Sequence, residues 1–133
     1  MSTKKTIQTI GRRKCALARA TLLKGTGKIL INKRLIENIT PILAKERLME
    51  PIHLAGDTRK EVDIFVNVKG GGIQGQTDAS RVAISKAFIE YNKKLKSIFL
   101  SYDRMLIVSD IRLKEQRKPN DSRARAARQK SYR

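Results

Sequence analysis

A strand, three consecutive glycines and a helix follow one another in the middle of the 133-residue chain, and this segment constrains the fold more than any other. Residues 62–68, VDIFVNV, place valine or isoleucine at every second position, which is the pattern of a half-buried strand. The glycines occupy positions 70–72, and Thr77 or Asp78 beyond them is a suitable cap for a helix ending at about Asn92. A strand that turns sharply into a helix predicts a mixed α and β domain.

One face of this predicted helix is rich in alanine, and the opposite face is polar. The stripe predicted to be buried consists of Ala79, Ala83, Ile84, Ala87 and Tyr91. The face predicted to lie opposite carries Arg81, Ser85 and Asn92. Because alanine is small, we expect the helix to approach the sheet closely.

The glycine segment GGGIQG matches the G-x-G-x-x-G pattern of dinucleotide-binding proteins. That pattern also requires an acidic residue about 20 positions further on, at the end of a second parallel strand. Glu90 has this spacing but lies inside the predicted helix, and no Gly-Lys-Ser/Thr phosphate-loop ending is present. We therefore expect no nucleotide cofactor, and no cofactor of any other kind.

Two interpretations of Gly70, Gly71 and Gly72 stay open at this level. In the first interpretation, the glycines have no role other than to allow a tight turn with positive φ angles. In the second, they also leave backbone N–H groups bare at a helix N-terminus, where an RNA phosphate would bind favourably.

The first part of the chain is expected to be mainly strand. Residues 7–10 predict a short strand, and residues 11–14, Gly-Arg-Arg-Lys, a basic break. Residues 15–22 fit a strand or a helix. A hairpin across the glycine turn at 24–28, leading into the β-like residues 28–32, favours a strand.

Two further helices are expected. Thr40 and Pro41 suit the cap and first residue of a helix over residues 42–49, which Pro51 is expected to end. Residues 94–101 predict a second, shorter helix.

The chain is strongly basic, with 30 Lys and Arg against 12 Asp and Glu, a net charge of +18. Such a charge is typical of proteins that bind a polyanion, most often nucleic acid. The apolar content collapses beyond Ile111, so we divide the chain into a globular domain, residues 1–111, and a basic arm, residues 112–133. Alone, the arm cannot bury enough apolar area to offset its ordering entropy, and we expect it to be disordered until it binds RNA or DNA.

The sequence argues against an enzyme and against a metal site. The single Cys15 and single His53 cannot form an internal disulfide or, without several carboxylates, a zinc site. No serine, histidine and acid set is plausible, and the carboxylates are scattered among basic residues. No apolar run approaches about 18 residues, and the N-terminus has no apolar leader. We expect a soluble, intracellular, metal-free protein without a small-molecule substrate.

Three stretches, GRRKCALARA, VKGGGIQGQTDASRVAISKAF and RQKSYR, resemble the ribosomal protein S9 family of the small subunit. The resemblance keeps the same order and covers nearly the whole chain. The Ser-Tyr-Arg ending and the stretch YDRMLIVSD look like the archaeal and eukaryotic branch, and we expect an archaeal protein. Cys15 stands where threonine is common, and Ile111 stands where proline is typical.

This resemblance implies an α+β fold of the ribosomal S5 domain 2-like type, with helices packed on a four-stranded sheet. It implies a place in the head of the small subunit of the cytoplasmic ribosome, bound to the 3′ major domain of the rRNA and next to other head proteins. In this family the arm threads through rRNA toward the peptidyl (P) site. The residues that would approach the anticodon stem-loop of the P-site tRNA are Lys130, Ser131, Tyr132 and Arg133.

The expected rRNA contacts come from basic residues and from the glycine turn, because guanidinium groups match phosphate oxygens and phosphate contacts position a protein without reading sequence. They are Arg12, Arg13, Lys14, Gly70, Gly71, Gly72, Arg81, Arg112, Arg117, Lys118, Arg123, Arg125 and Arg128. Tyr132 can stack on a base or act as a spacer. The alternative function is that of a free-standing basic chaperone of RNA or DNA, without residence in the ribosome.

Overall fold

The computed structural model describes residues 5–120, 123–126 and 131–132, and within them a five-stranded sheet is covered on one face by helices. The strands are β1 Ile7–Arg13, β2 Ala16–Lys24, β3 Ile29–Ile31, β4 Arg34–Leu35 and β5 Val62–Lys69. The helices are α1 Ile42–Ala55, α2 Ile73–Tyr91 and α3 Leu95–Tyr102, and short 3-10 segments span Ile36–Asn38, Gly56–Glu61 and Arg104–Leu106. The mixed α and β class is therefore confirmed, as are the positions of β5 and, within one residue, α3.

The strand order is β1-β2-β5-β3-β4, with β5 antiparallel to β2 and parallel to β3. Residues 15–22 are indeed largely strand, but the predicted hairpin between β2 and β3 is wrong, because β5 lies between them. The turn between these strands is held by a side chain instead. Oδ1 of Asp63 accepts backbone N–H bonds from Thr26, Gly27 and Lys28 at 2.8, 2.9 and 2.8 Å.

The sheet has one strand more than the four that the family resemblance implied. Asn32 and Lys33 have φ angles of +48° and +67°, so they form a two-residue turn that returns β4 against β3. The Asn32 side chain also bonds the backbone of Val68, accepting from its N–H at 2.9 Å and donating to its carbonyl at 3.2 Å. The turn was missed because hairpins of this kind are usually marked by Asn-Gly rather than Asn-Lys.

Helix α2 packs directly on the backbone of β1, as the alanine stripe predicted. A Cβ atom at Gly11 would lie 2.0 Å from the carbonyl oxygen of Ala79, so only glycine allows this approach. The Thr9 hydroxyl donates to the carbonyl of Ala83 at 2.8 Å, and Lys86 Nζ donates to the carbonyl of Ile10 at 3.1 Å. β1 itself continues to Arg13, so the predicted basic break at 11–14 is strand for most of its length.

Helix α2 begins five or six residues earlier than predicted, with Gly72 rather than Thr77 or Asp78 at its cap. Its polar face is also not exposed: Arg81 and Ser85 are 7% and 0% exposed. The prediction of an outward polar face is wrong because α1, α3 and the segment after α3 cover this side of α2.

Helix α1 begins within one residue of the prediction, with Pro41 rather than Thr40 at its cap, but it runs through Pro51 to Ala55. Pro51 and Ile52 are both buried, so packing of this turn against α2 outweighs the backbone hydrogen bond that proline lacks. The helix ends instead at Gly56, which has a φ angle of +57°.

Candidate nucleic-acid interface

The turn from β5 into α2 requires glycine at its first two positions. Gly70 and Gly71 have φ angles of +79° and +68°, in the left-handed region. A Cβ atom at Gly70 would lie 2.5 Å from the carbonyl oxygen of Cys15, and one at Gly71 would lie 3.1 Å from the Cβ of Ala16. Turn geometry and close packing therefore account fully for these two glycines.

The third glycine has no such structural reason. Gly72 has a φ angle of −99°, and a Cβ atom there would meet nothing within 4 Å. It occupies the N-cap of α2, where no side chain caps the helix. The N–H groups of the first turn thus face open space, and the positive end of the helix dipole favours an anion there.

The basic loop between β1 and β2 lies beside this helix end. An open concavity of about 600 Å³ is lined by Arg13, Lys14, Cys15, Pro41 and residues 71–75. Two segments that the sequence marked separately, the basic loop and the glycine turn, are therefore neighbours. Arg12 and Lys14 are exposed, and neither forms an ion pair within the described part of the chain.

Arg13 differs from its two neighbours because its charge is already matched inside the protein. Its guanidinium is ion-paired with Asp110 and lies 3.6 Å, at Nε, from the carboxylate of Asp78. Asp78 also pairs with Arg47 of α1, at 3.1 Å. Arg13 therefore ties β1 to α2 and to the segment that leads into the arm.

Arg81, expected among the RNA contacts, points into the protein. Its guanidinium is ion-paired with Glu50 of α1 and lies 3.1 Å from Asp103, which follows α3. Because Arg81 is 7% exposed and already neutralised by two carboxylates, it is not accessible to an external phosphate, and we leave it out of the candidate interface.

The arm leaves the domain at Asp110. Its carboxylate accepts from Arg112 through Nε at 3.1 Å, Nη2 at 2.7 Å and the backbone N–H at 2.9 Å, and it also pairs with Arg13. These donors, Arg112 first, hold the pKa of Asp110 well below its usual range, and Asp110 in turn raises the pKa of Arg112. The carboxylate thus fixes the direction in which the arm starts.

The arm is exposed over residues 111–120 and contains no helix or strand over residues 111–118. Arg117, Lys118 and Arg123 are exposed and have no ion-pair partner within the ranges that the structure covers. Arg125 instead donates to Glu115 from Nε at 3.0 and 2.8 Å, which lowers the pKa of Glu115.

The expected P-site residues are covered only in part. Ser131 and Tyr132 are described and exposed. Arg128, Lys130 and Arg133 lie outside the described residues.

The described residues offer little to catalysis or metal binding. His53 and Cys15 are both exposed, and no group of three His, Cys, Asp or Glu within the described ranges could hold a metal ion. No helix there is long and apolar enough to cross a bilayer. Unpaired, exposed cations next to a bare helix end are instead suited to phosphate groups.

Sequence reasoning also missed the uncovered face of the sheet. Arg19, Phe65, Asn67 and Lys69 are exposed at alternate strand positions, on the side away from the helices. The alternation in residues 62–68 was used only to find the buried side, although the same period fixes which residues lie outward.

Known proteins give a consistent picture. The family model described as ribosomal protein S9/S16 matches residues 11–133. A Methanococcus maripaludis protein named small ribosomal subunit protein uS9 is 50% identical over 133 residues, covering 97% of this chain and 99% of the relative. Proteins of the same name from Picrophilus torridus and Thermoplasma volcanium are 50% and 45% identical, covering 93% and 94% of this chain and 95% and 96% of the relatives. These relatives are archaeal, and the family is ribosomal rather than enzymatic. The chain belongs to the ribosomal protein S9/S16 family.

Proposed function

We propose that this chain is a structural component of the small ribosomal subunit head, where it binds rRNA and extends its arm to the P-site tRNA. Family membership over residues 11–133 supports this, together with one structural observation. The observation is that Lys14, exposed and unpaired within the described residues, lines the concavity beside the bare N-terminus of α2. On the same grounds we assign the fold to the ribosomal S5 domain 2-like type and the location to the cytoplasmic ribosome.

The globular domain, residues 1–111, holds rRNA phosphates at the concavity beside Gly72. A phosphate oxygen accepts N–H bonds from the first turn of α2, and its charge is matched by Lys14. Gly72 matters here because a side chain would stand between the helix end and the phosphate.

The arm, residues 112–133, contributes further phosphate contacts. Arg117, Lys118 and Arg123 are exposed, and none of them forms an ion pair within the described residues. Phosphate groups can neutralise cations that have no partner within the protein. This neutralisation releases the counterions condensed on the nucleic acid, so the binding weakens as the salt concentration rises.

The last residues of the arm carry the proposed tRNA contact. Family resemblance supports Lys130, Ser131, Tyr132 and Arg133 in this role. Arginine offers a planar fork for phosphate oxygens, and the exposed ring of Tyr132 can stack on a base or ribose.

Sedimentation of a native lysate through a high-salt sucrose gradient tests residence in the ribosome. We expect the chain to migrate with the small subunit after the salt wash. If it stays at the top of the gradient, a free-standing RNA or DNA chaperone becomes the better description, and the proposed function is wrong.

A shortened chain lacking residues 130–133 tests the tRNA contact. We expect it to enter small subunits normally but to retain P-site tRNA less well in filter-binding assays. Replacement of the exposed Lys93 and Lys94 by alanine is the control, since it also removes positive charge but leaves the arm intact. Equal tRNA retention by shortened and intact chains contradicts the role of the tail.

A further inference from the structure

The sheet has an open face on the side away from α1 and α2. A broad concavity of about 1000 Å³ lies over it, and this open face is defined by Gln8, Ile10, Arg19, Thr21, Phe65 and Asn67. The residues between them on the same strands point into the core, where Ala18, Ala20, Ile64 and Val66 are 0 to 3% exposed. The central strands β2 and β5 therefore each have one buried side and one uncovered side.

Phe65 lies at the centre of the open face. It occupies β5, the middle strand, opposite Thr21 on β2 and Leu30 on β3, and it is 43% exposed. A phenyl ring on a central strand with smaller neighbours is a flat apolar platform, the kind of surface on which an unpaired base stacks.

Cations lie on the same face between Phe65 and the glycine turn. Arg19 is opposite Asn67, and the next row places Arg12 and Lys69 on either side of Leu17. All three cations are exposed, and none forms an ion pair within the described residues.

The acidic residue on this face is not available to neutralise these cations. In the described strands, Asp63 is the one carboxylate on the open side, and it accepts three backbone N–H bonds from residues 26–28. Those bonds, that from Lys28 first, lower the pKa of Asp63, so it stays ionised but is occupied by the turn.

We propose that the open face binds an unpaired stretch of rRNA, with the ring of Phe65 stacked on a base and Arg19, Arg12 and Lys69 holding consecutive phosphates. This inference rests on the proposed rRNA-binding function and extends it to a second surface. The strand rise of about 3.3 Å per residue puts Lys69 about 13 Å from Phe65, which spans about four stacked nucleotides.

Two features favour RNA over a protein partner on this face. The exposed apolar side chains Ile10 and Phe65 are separated by Arg19, whereas the centre of a protein–protein interface is depleted of charge. Lys69 is followed directly by the glycine turn, so the open face continues into the phosphate site proposed beside Gly72.

A photo-crosslinking experiment in the assembled particle identifies the occupant directly. A benzophenone-bearing phenylalanine is placed at position 65 of the full chain, and reconstituted small subunits are irradiated. We expect a crosslink from position 65 to rRNA. A crosslink to another protein, or no crosslink at all, overturns the inference.

Binding of a fluorescein-labelled single-stranded oligouridylate to the full chain tests stacking separately. Phe65→Ile keeps a side chain suited to a strand but removes the ring face, and we expect it to weaken binding about 5-fold or more. Phe65→Tyr is expected to bind as the unmodified chain does. Tyr102→Ala, which removes an exposed ring from α3, is the control and is expected to change nothing.

The two proposals fail in different ways. If Phe65→Ile and the unmodified chain bind the oligouridylate equally while both sediment with the small subunit, the open-face inference is wrong and the proposed function stands. If neither sediments with the small subunit, the proposed function itself has failed.

Discussion

Nη2 of Arg81 donates to Oδ2 of Asp103 at 3.1 Å, and the same nitrogen is paired with the carboxylate of Glu50. One guanidinium in the middle of α2 thus connects α1 with the segment that follows α3. Glu50 and Asp103 form no other ion pair within the described residues, so both depend on this arginine for their neutralisation. An arginine that sequence suggests as a nucleic-acid contact is instead part of the framework of the domain.

Replacement of Arg81 by methionine is expected to destabilise the domain by about 2–3 kcal/mol, because two carboxylates lose their buried partner. The expected loss of stability is smaller than for a fully buried pair, because the side chains of Glu50 and Asp103 are 29% and 34% exposed. Urea unfolding of the isolated chain measures it. Arg104→Ala, which removes an exposed arginine without an ion pair in the described residues, is expected to stay within about 0.5 kcal/mol.

Alanine at Gly70 and alanine at Gly72 are expected to act differently. Gly70→Ala forces a positive φ and a Cβ contact of 2.5 Å with Cys15, so we expect a loss of about 2 kcal/mol or more in unfolding free energy. Gly72→Ala meets open space, and we expect it to cost less than about 1 kcal/mol, because alanine is a poorer N-cap than glycine, while weakening rRNA binding. Unfolding curves together with rRNA filter binding separate the two effects. Normal rRNA binding by Gly72→Ala would argue against a phosphate at this helix end.

The turn at residues 26–28 is expected to be sensitive to acid through Asp63. Its pKa is lowered in the folded state, so its contribution to stability is fully present above about pH 4 and is lost as the pH falls through the folded-state pKa. Asp63→Asn should therefore cost about 1 kcal/mol between pH 5 and 8, and this difference should shrink in more acidic buffer. Urea unfolding across the pH range measures it.

Asp57→Asn is the matched control for that series. The Asp57 side chain is 98% exposed and pairs only with Lys60, at 3.5 Å, among the described residues. A constant, near-zero difference at every pH is expected for this variant. A pH-independent loss in Asp63→Asn would instead indicate that the charge of Asp63 is not what holds the turn.

Exposed arm cations are expected to contribute to the salt dependence of rRNA binding. Arg117→Ala and Lys118→Ala should each lower affinity for rRNA and reduce the slope of log K against log salt by up to about 0.9. Arg125→Ala is expected to have a smaller effect, because Arg125 is already neutralised by Glu115. Equal slopes for all three variants would show that the Glu115 pair opens on binding.

Local patterns explain why part of the fold was predictable. The alternation of residues 62–68 gives β5, and the alanine stripe gives the contact of α2 with β1, because both depend only on the period of one element. The β2–β3 hairpin was predicted wrongly because a glycine turn between two strands usually joins neighbours. Nothing local indicates that Asp63, some 35 residues later, holds that turn while β5 enters between the strands.

The candidate interface was predictable to a similar extent. The exposed loop residue Lys14 lies beside the glycine turn, and the sequence marked both segments by composition alone. Arg13 and Arg81 were assigned to RNA because an isolated arginine in sequence carries no sign of its partners. Their carboxylates come from other elements, and only the packing of α1 and of the segment after α3 brings them within reach.

The late arrival of β5 between β2 and β3 has a consequence for synthesis of the chain. Until residues 62–69 emerge, β2 and β3 each present an edge with unpaired backbone groups, which is a template for association with other chains. Lys24 and Lys28 lie at or beside these edges, and like charge keeps nascent copies apart. We therefore expect the excess of lysine and arginine to oppose aggregation of the unfinished sheet before any nucleic acid is bound.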